Sequence, residues 1–154
     1  VRRRFAAVSV LALSAALAGC GGSGAPQATG PSFEVTAAWV SGVGRVLVDG
    51  QGYTLYMFVP DAQDGSTCYG ACAAQWPPLL LPAGVAAPER GPGARASLLG
   101  TTRRRDGRLQ VTYAGWPLYR WIGDTAPGMA TGQGLDNLGG FWYVLDPAGS
   151  PIRR

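Results

Sequence analysis

One seven-residue pattern occurs twice in this chain. Leu55-Tyr56-Met57-Phe58-Val59-Pro60-Asp61 returns as Leu118-Tyr119-Arg120-Trp121-Ile122-Gly123-Asp124, so both copies read Leu-Tyr-x-aromatic-x-x-Asp. Arg45 and Arg108 each stand eleven residues ahead of their tyrosine, and Trp76 and Trp142 follow downstream. Self-similarity at this spacing marks a duplicated supersecondary unit too small to bury its own apolar face. The two copies are therefore expected to close one core together. The pattern constrains architecture; it names no reaction.

Around each copy the chain reads as short strands between glycine turns. Phe33 to Val40 is expected to form a first strand. Arg45 to Val48, the turn signal Asp49-Gly50-Gln51-Gly52 and Tyr53 to Val59 predict a hairpin. In its second strand Leu55, Met57 and Val59 share one face and Tyr56 and Phe58 the other. Both faces are apolar, which predicts a central strand or an aromatic face packed on the other repeat.

The second unit repeats the plan. Ser97 to Arg105 and Arg108 to Tyr113 flank Asp106-Gly107, a strong two-residue hairpin signal. Pro117 is expected to open a strand over Leu118 to Ile122. Arg120 stands where the first copy has Met57, so the Leu118/Ile122 face is expected to be partly exposed. Phe141 to Leu145 reads as a late strand, and Ala71 to Trp76 as a short helix ended by Pro77-Pro78. Pro82 to Gly93 reads as a crossover loop, and Ile152 to Arg154 as a frayed end. The expected fold is mainly β: two related hairpin or meander repeats, about 40–82 and 97–150, packed into one small domain over 33–150 with one short helix.

The N-terminus sets the compartment. Arg2, Arg3 and Arg4 precede an apolar run from Phe5 to Ala18, too short to span a bilayer as a permanent helix. A basic start, an apolar stretch and small residues read as a processing segment, residues 1–19. Its end, Leu17-Ala18-Gly19-Cys20, resembles the bacterial lipobox, which implies cleavage before Cys20 and lipid on that thiol. Arg3-Arg4 close to Phe5 leaves general secretion and twin-arginine export both open. Residues 20–32 then form the lipid anchor and a small, polar, flexible spacer.

Outside the cytoplasm Cys68 and Cys72 are expected to be oxidised to a structural disulfide across a tight turn. A redox-active pair is the alternative. Against it, the spacing is not Cys-x-x-Cys, and Tyr69-Gly70-Ala71 carries no charge to lower a thiol pKa.

The formal charge of +4 owes most of its excess to Arg2, Arg3 and Arg4. The domain proper is near neutral, and no nucleic-acid partner is expected. Arg103-Arg104-Arg105 is expected to be a solvated strand edge.

The chain has no histidine and no lysine. That removes Ser-His-Asp and Cys-His centres, His-ligated haem, the usual catalytic zinc sites and Schiff-base chemistry. No dinucleotide or phosphate loop is present. No catalytic residue, metal or cofactor is assigned, and the chain is not expected to be an enzyme.

Two sets of residues stay open. Asp61 and Asp124 follow the aromatic strands; each reads as a turn carboxylate accepting backbone N–H bonds. The sharper readings are a calcium site using Asp61 and Asp64 and an acid pair for glycoside hydrolysis. Tyr56, Phe58, Trp76, Tyr119, Trp121, Trp142 and Tyr143 read either as core or as the lining of a groove for an apolar or sugar ligand, a quinone or a haem edge.

These residues resemble a bacterial family of secreted lipoproteins with a Tyr-x-(Phe/Trp/Tyr)-x-x-Asp motif, built on a secreted repeat of unknown function. The first copy is similar through Asp61, Ser66 to Cys72 and Trp76-Pro77-Pro78-Leu79. The second is similar through Gly115 to Tyr119, Asp124, Pro127-Gly128, Gly132-Gln133-Gly134 and Gly140 to Val144. The resemblance implies export and no settled activity. The functional expectation is a membrane-anchored extracytoplasmic lipoprotein, attached through lipid on Cys20. It would act as a non-catalytic binding or interaction module for an apolar or protein ligand. The alternatives are an accessory redox or electron-transfer protein and a purely structural component of the cell envelope.

Overall fold

The computed structural model describes residues 30–153. The expected processing segment, Cys20 and most of the spacer lie outside the described residues. Strand β1 (Glu34–Val40) and strand β2 (Gly44–Asp49) form an antiparallel hairpin, with Trp39 opposite Arg45 and Val40 opposite Gly44. Its tip turns through Gly42 at φ 76°, a left-handed conformation that glycine adopts without penalty. At the other end Asp49 closes the next turn: its Oδ1 accepts the N–H groups of Gln51 and Tyr53 at 2.8 and 3.0 Å.

The hairpin expected between β2 and Tyr53–Val59 is short. It lasts through Leu55, whose N–H bonds Leu47 O at 3.0 Å. Strand β3 (Tyr56–Phe58) then leaves β2 for the other repeat. Helix α1 (Ala71–Gln75) follows the expected position. The crossover contains strand β4 (Glu89–Arg90), parallel to the start of β1, where only loop was expected. Strands β5 (Leu99–Arg103) and β6 (Leu109–Tyr113) form the second hairpin around Gly107 at φ 85°. Strand β7 (Trp116–Pro117) returns beside β6, and β8 (Asp136–Asn137) pairs with β9 (Gly140–Val144). The expected strand Leu118–Ile122 is reduced to bridges at Tyr119. Ile152 is held rather than frayed, because its N–H bonds Val144 O at 3.0 Å and its side chain packs on the core; Arg154 lies outside the described residues.

The centre of the molecule is a ribbon of four segments drawn alternately from the two repeats. β3 lies antiparallel to β9, with Tyr56 opposite Val144 and Phe58 opposite Trp142. On its other side Tyr56 and Tyr119 exchange backbone bonds, N to O, at 2.9 and 3.0 Å. The Leu118–Arg120 segment pairs in turn with Pro77–Leu79, through Leu79 N to Leu118 O at 2.9 Å and Arg120 N to Pro77 O at 2.9 Å. The outer segment beside each motif thus comes from the opposite repeat. Such reciprocal contacts are the signature of an approximate two-fold relation, which here passes between Tyr56 and Tyr119.

The ribbon is buried on both sides, and this is why the motif is apolar on both faces. Leu55, Met57, Leu118, Leu79 and Leu145 face an aliphatic core with Val35, Leu47 and Val111. Tyr56, Phe58, Tyr119, Trp76, Trp142 and Val144 face an aromatic core with Val40, Val46 and Val48. Leu118 is fully buried, contrary to the exposure expected for it, whereas Ile122 is 55% exposed. Arg120 does not turn that face to solvent. Its guanidinium reaches the carboxylate of buried Asp49 in the other repeat and lies 5.0 Å from the Tyr53 ring.

Candidate functional site

The repeated residues converge in the aromatic core, and they do so crosswise. Tyr56 donates its hydroxyl to Asp124 Oδ2 at 2.6 Å, and Tyr119 donates to Asp61 Oδ2 at 2.6 Å. The second oxygen of each carboxylate is also taken. Asp61 Oδ1 accepts Thr67 N–H and Oγ1–H at 2.7 Å each, and Asp124 Oδ1 accepts Thr131 N–H at 2.8 Å and Oγ1–H at 2.7 Å. Each aspartate therefore fixes its own loop and receives the tyrosine of the other repeat. The turn-carboxylate reading described half of this; the cross-repeat half has no local sequence signature.

The aromatic rings form a continuous stack in the order Trp121, Trp76, Trp142, Phe58, with centroid separations of 4.3, 3.9 and 4.1 Å. The middle pair is parallel within 1°. The order reverses into itself when the repeats are exchanged, as a two-fold relation requires. Tyr56 meets Trp76 edge-on at 5.3 Å, and Tyr119 meets Trp142 edge-on at 5.2 Å. Such pairs contribute about 0.5–1.5 kcal/mol each beyond area burial. Tyr56, Phe58, Trp76, Tyr119 and Trp142 are buried, and Trp121 is half-buried. The structure thus places five of the seven candidate aromatics inside the molecule as core and leaves Trp121 and Tyr143 half-buried.

One feature breaks the symmetry. The first loop carries the Cys68–Cys72 disulfide, with Cα atoms 5.2 Å apart. In the second repeat the residue after Thr131 is Gly132, where a Cβ would lie 2.7 Å from the Trp76 ring. Arg104 supports the disulfide loop from the second repeat. Its Nη1 donates to Ser66 Oγ at 2.8 Å and Gln110 Oε1 at 2.6 Å, and its Nη2 to Cys68 O at 2.8 Å. Ser66 Oγ in turn lies 2.6 Å from the Tyr119 hydroxyl. Arg104 is 3% exposed, so the arginine triplet is not a solvated edge throughout; Arg103 and Arg105 are outside and Arg104 is inside. Sequence reading missed Arg104. The available signal was alternation, which places every second residue of an extended segment on the same side.

Electrostatics follow from the burial. Desolvation holds the Asp61 carboxyl above its ordinary value, against the lowering effect of its Tyr119 and Thr67 hydrogen bonds. Desolvation, followed by the neighbouring carboxylates, raises the Tyr56 and Tyr119 hydroxyls well above theirs. Tyrosines held neutral in this way are hydrogen-bond donors rather than bases. Asp61 has both oxygens engaged, and the exposed Asp64 directs its backbone to Gly115 and Thr102 instead of joining a cation shell with it. Among the described residues no three metal-ligating side chains converge.

The outer surface offers a different feature. Trp39 is 77% exposed at the tip of the β1–β2 hairpin. It borders a shallow concavity of about 510 Å³ with Gly42, Val43, Gly44, Gln133 and Ile152. Sequence reading placed Trp39 in a strand and gave it no functional part.

Among the described residues no helix is long and apolar enough to cross a membrane. No curated protein and no solved structure matches the chain. A family model described as a secreted repeat of unknown function matches it in two stretches, residues 39–80 and 100–146. The two matched stretches are the two crossed repeats, and the chain belongs to this family of secreted, extracytoplasmic repeat proteins.

Proposed function

We propose that this chain is a lipid-anchored extracytoplasmic protein that works as a non-catalytic interaction module, meeting its ligand through the surface around Trp39 rather than through the repeat motif. The observation that carries this reading is a division of labour. Tyr56, Asp61, Tyr119 and Asp124 satisfy one another in the interior, while a large aromatic stands exposed beside a concave, uncharged surface. Buried polar groups that are fully paired specify a fold. An exposed tryptophan beside apolar neighbours gives a ligand contact area at low entropic cost. Cys68 is buried and its carbonyl is held by Arg104, which supports a staple over an exchanging redox pair.

Two measurements test the proposal. Mass spectrometry of the native protein should find an acylated Cys20 as its first residue, and Cys20→Ser should release the chain from membranes. Oxidative footprinting should find Trp39 protected on intact cells relative to the purified protein. Equal labelling of Trp39 in both settings would sink the interaction surface.

A further inference from the structure

We propose that the partner of the Trp39 surface is the lipid–water interface of the membrane that holds the anchor, and that this contact fixes the orientation of the domain. The inference rests on the anchored-module reading above and names its ligand. Trp39 and the apolar side chains of Val43 and Ile152 share one concavity, and among the described residues no charged side chain lines it. Arg45 stands directly opposite Trp39 in the hairpin register, with its guanidinium lying against Gly93, and Arg153, which follows Ile152, lies over the Tyr143 ring at 5.4 Å; both arginines are exposed. A tryptophan with an apolar fringe and exposed arginines near it in the chain is the composition that settles at headgroup level, the ring at the acyl boundary and the guanidiniums able to swing out to lipid phosphates.

The reach of the chain agrees. Residues 30 and 31 lie against Gly50, at the base of the β1–β2 hairpin, and Trp39 lies at the tip. Base and tip are separated by about 20 Å of strand. The segment from Cys20 to Gly30 can extend to about 33–36 Å. An anchored chain therefore has enough tether to lay the hairpin tip on the bilayer. The acyl chains alone hold the protein at the surface but leave it free to tumble; a second contact at the hairpin tip removes that freedom.

The test uses vesicles of equal parts phosphatidylglycerol and phosphatidylcholine carrying a headgroup-level fluorescence quencher. With the acylated chain inserted, tryptophan emission should show a quenched component that Trp39→Ser abolishes. The mature chain carrying Cys20→Ser should bind the same vesicles, and adding Trp39→Ser should weaken that binding about ten-fold. Arg45→Glu should weaken it about five-fold, with the remaining affinity falling as salt is raised. Unchanged melting temperatures confirm that the exposed substitutions leave the fold intact. Quenching that is the same with and without Trp39, or vesicle binding indifferent to both Trp39→Ser and Arg45→Glu, overturns the proposal. The Cys20→Ser measurement keeps the two readings apart: an unacylated native protein would defeat the anchor while leaving a Trp39-dependent affinity for lipid intact. Footprint protection on cells without vesicle binding would defeat the lipid partner alone.

Discussion

Tyr56 of the first repeat donates its hydroxyl to Asp124 of the second across a buried contact of 2.6 Å. Its counterpart, Tyr119 to Asp61, has the same length and the opposite direction. The two bonds flank the reciprocal backbone exchange between Tyr56 and Tyr119, so side chain and main chain cross between the repeats at one place.

Tyr56→Phe removes the donor and leaves Asp124 Oδ2 buried without that partner. A stranded buried acceptor costs about 1–3 kcal/mol, and urea unfolding should show a loss of this order. In a double-mutant cycle with Asp124→Asn the two losses should not add, because both substitutions break one bond. Strict additivity would mean that the contact contributes nothing.

Alkali should unfold the protein through the same tyrosines. Burial first, and the adjacent carboxylates after it, raise both hydroxyls above their ordinary value of 10.0. Above that pH the unfolded chain releases two protons that the folded chain retains. Their contribution to stability is therefore complete below about pH 10 and is lost as pH rises through the folded values. The melting temperature should begin to fall near pH 10. The Tyr56→Phe/Tyr119→Phe double variant should be less stable at neutral pH yet decline less steeply in alkali; parallel declines would show that other groups drive the transition.

The three consecutive arginines should respond unequally. Arg104→Ala leaves Ser66, Gln110 and the Cys68 carbonyl without their shared donor. Two weakened buried acceptors and a half-buried third predict a loss of about 3 kcal/mol. Arg103→Ala and Arg105→Ala, on the exposed side, should stay within about 0.5 kcal/mol. Chemical unfolding of the three single variants decides the matter.

The disulfide closes a very short loop, so its entropic contribution should be about 2 kcal/mol. Reduction should lower the melting temperature while leaving the far-ultraviolet spectrum of the native state in place. Loss of secondary structure on reduction at room temperature would give the bridge a larger part than a local staple.

A single cut between Ala83 and Gly84, both exposed in the crossover, should leave two fragments that migrate together. Each half supplies the outer segment of the other's ribbon. Size-exclusion chromatography of the nicked protein should show one species, and each purified half alone should lack dispersed amide resonances. Two separately folded halves would contradict the alternating ribbon.

Much of this architecture is legible in the residues themselves. The duplicated motif fixes the repeat number, Asp106-Gly107 fixes the second hairpin, and Pro77-Pro78 fixes the end of the helix. The double apolar face of Leu55–Phe58 announces a strand buried on both sides. What the residues do not announce is partnership. Backbone bonds between Tyr56 and Tyr119 are made by groups common to all residues, so no side-chain pattern shows that β3 abandons β2 for the other repeat. Arg104 is chemically identical to its exposed neighbours, and only the packing around Ser66 and Gln110 sets it apart. Leu118 was misjudged because Arg120 suggested a wet face; the guanidinium instead answers the buried charge of Asp49. Trp39 carries no motif, and nothing in its strand context announces that neither core covers it.

The crosswise wiring of hydroxyl and carboxylate also limits how such a gene can change. Deleting either copy would orphan the polar groups of the survivor, and a substitution in one tyrosine shifts the burden to an aspartate 68 or 58 positions away. The halves are obliged to evolve as a pair. A single copy standing alone could meet the same chemical demand only by clasping a twin, and the present polypeptide supplies that twin to itself.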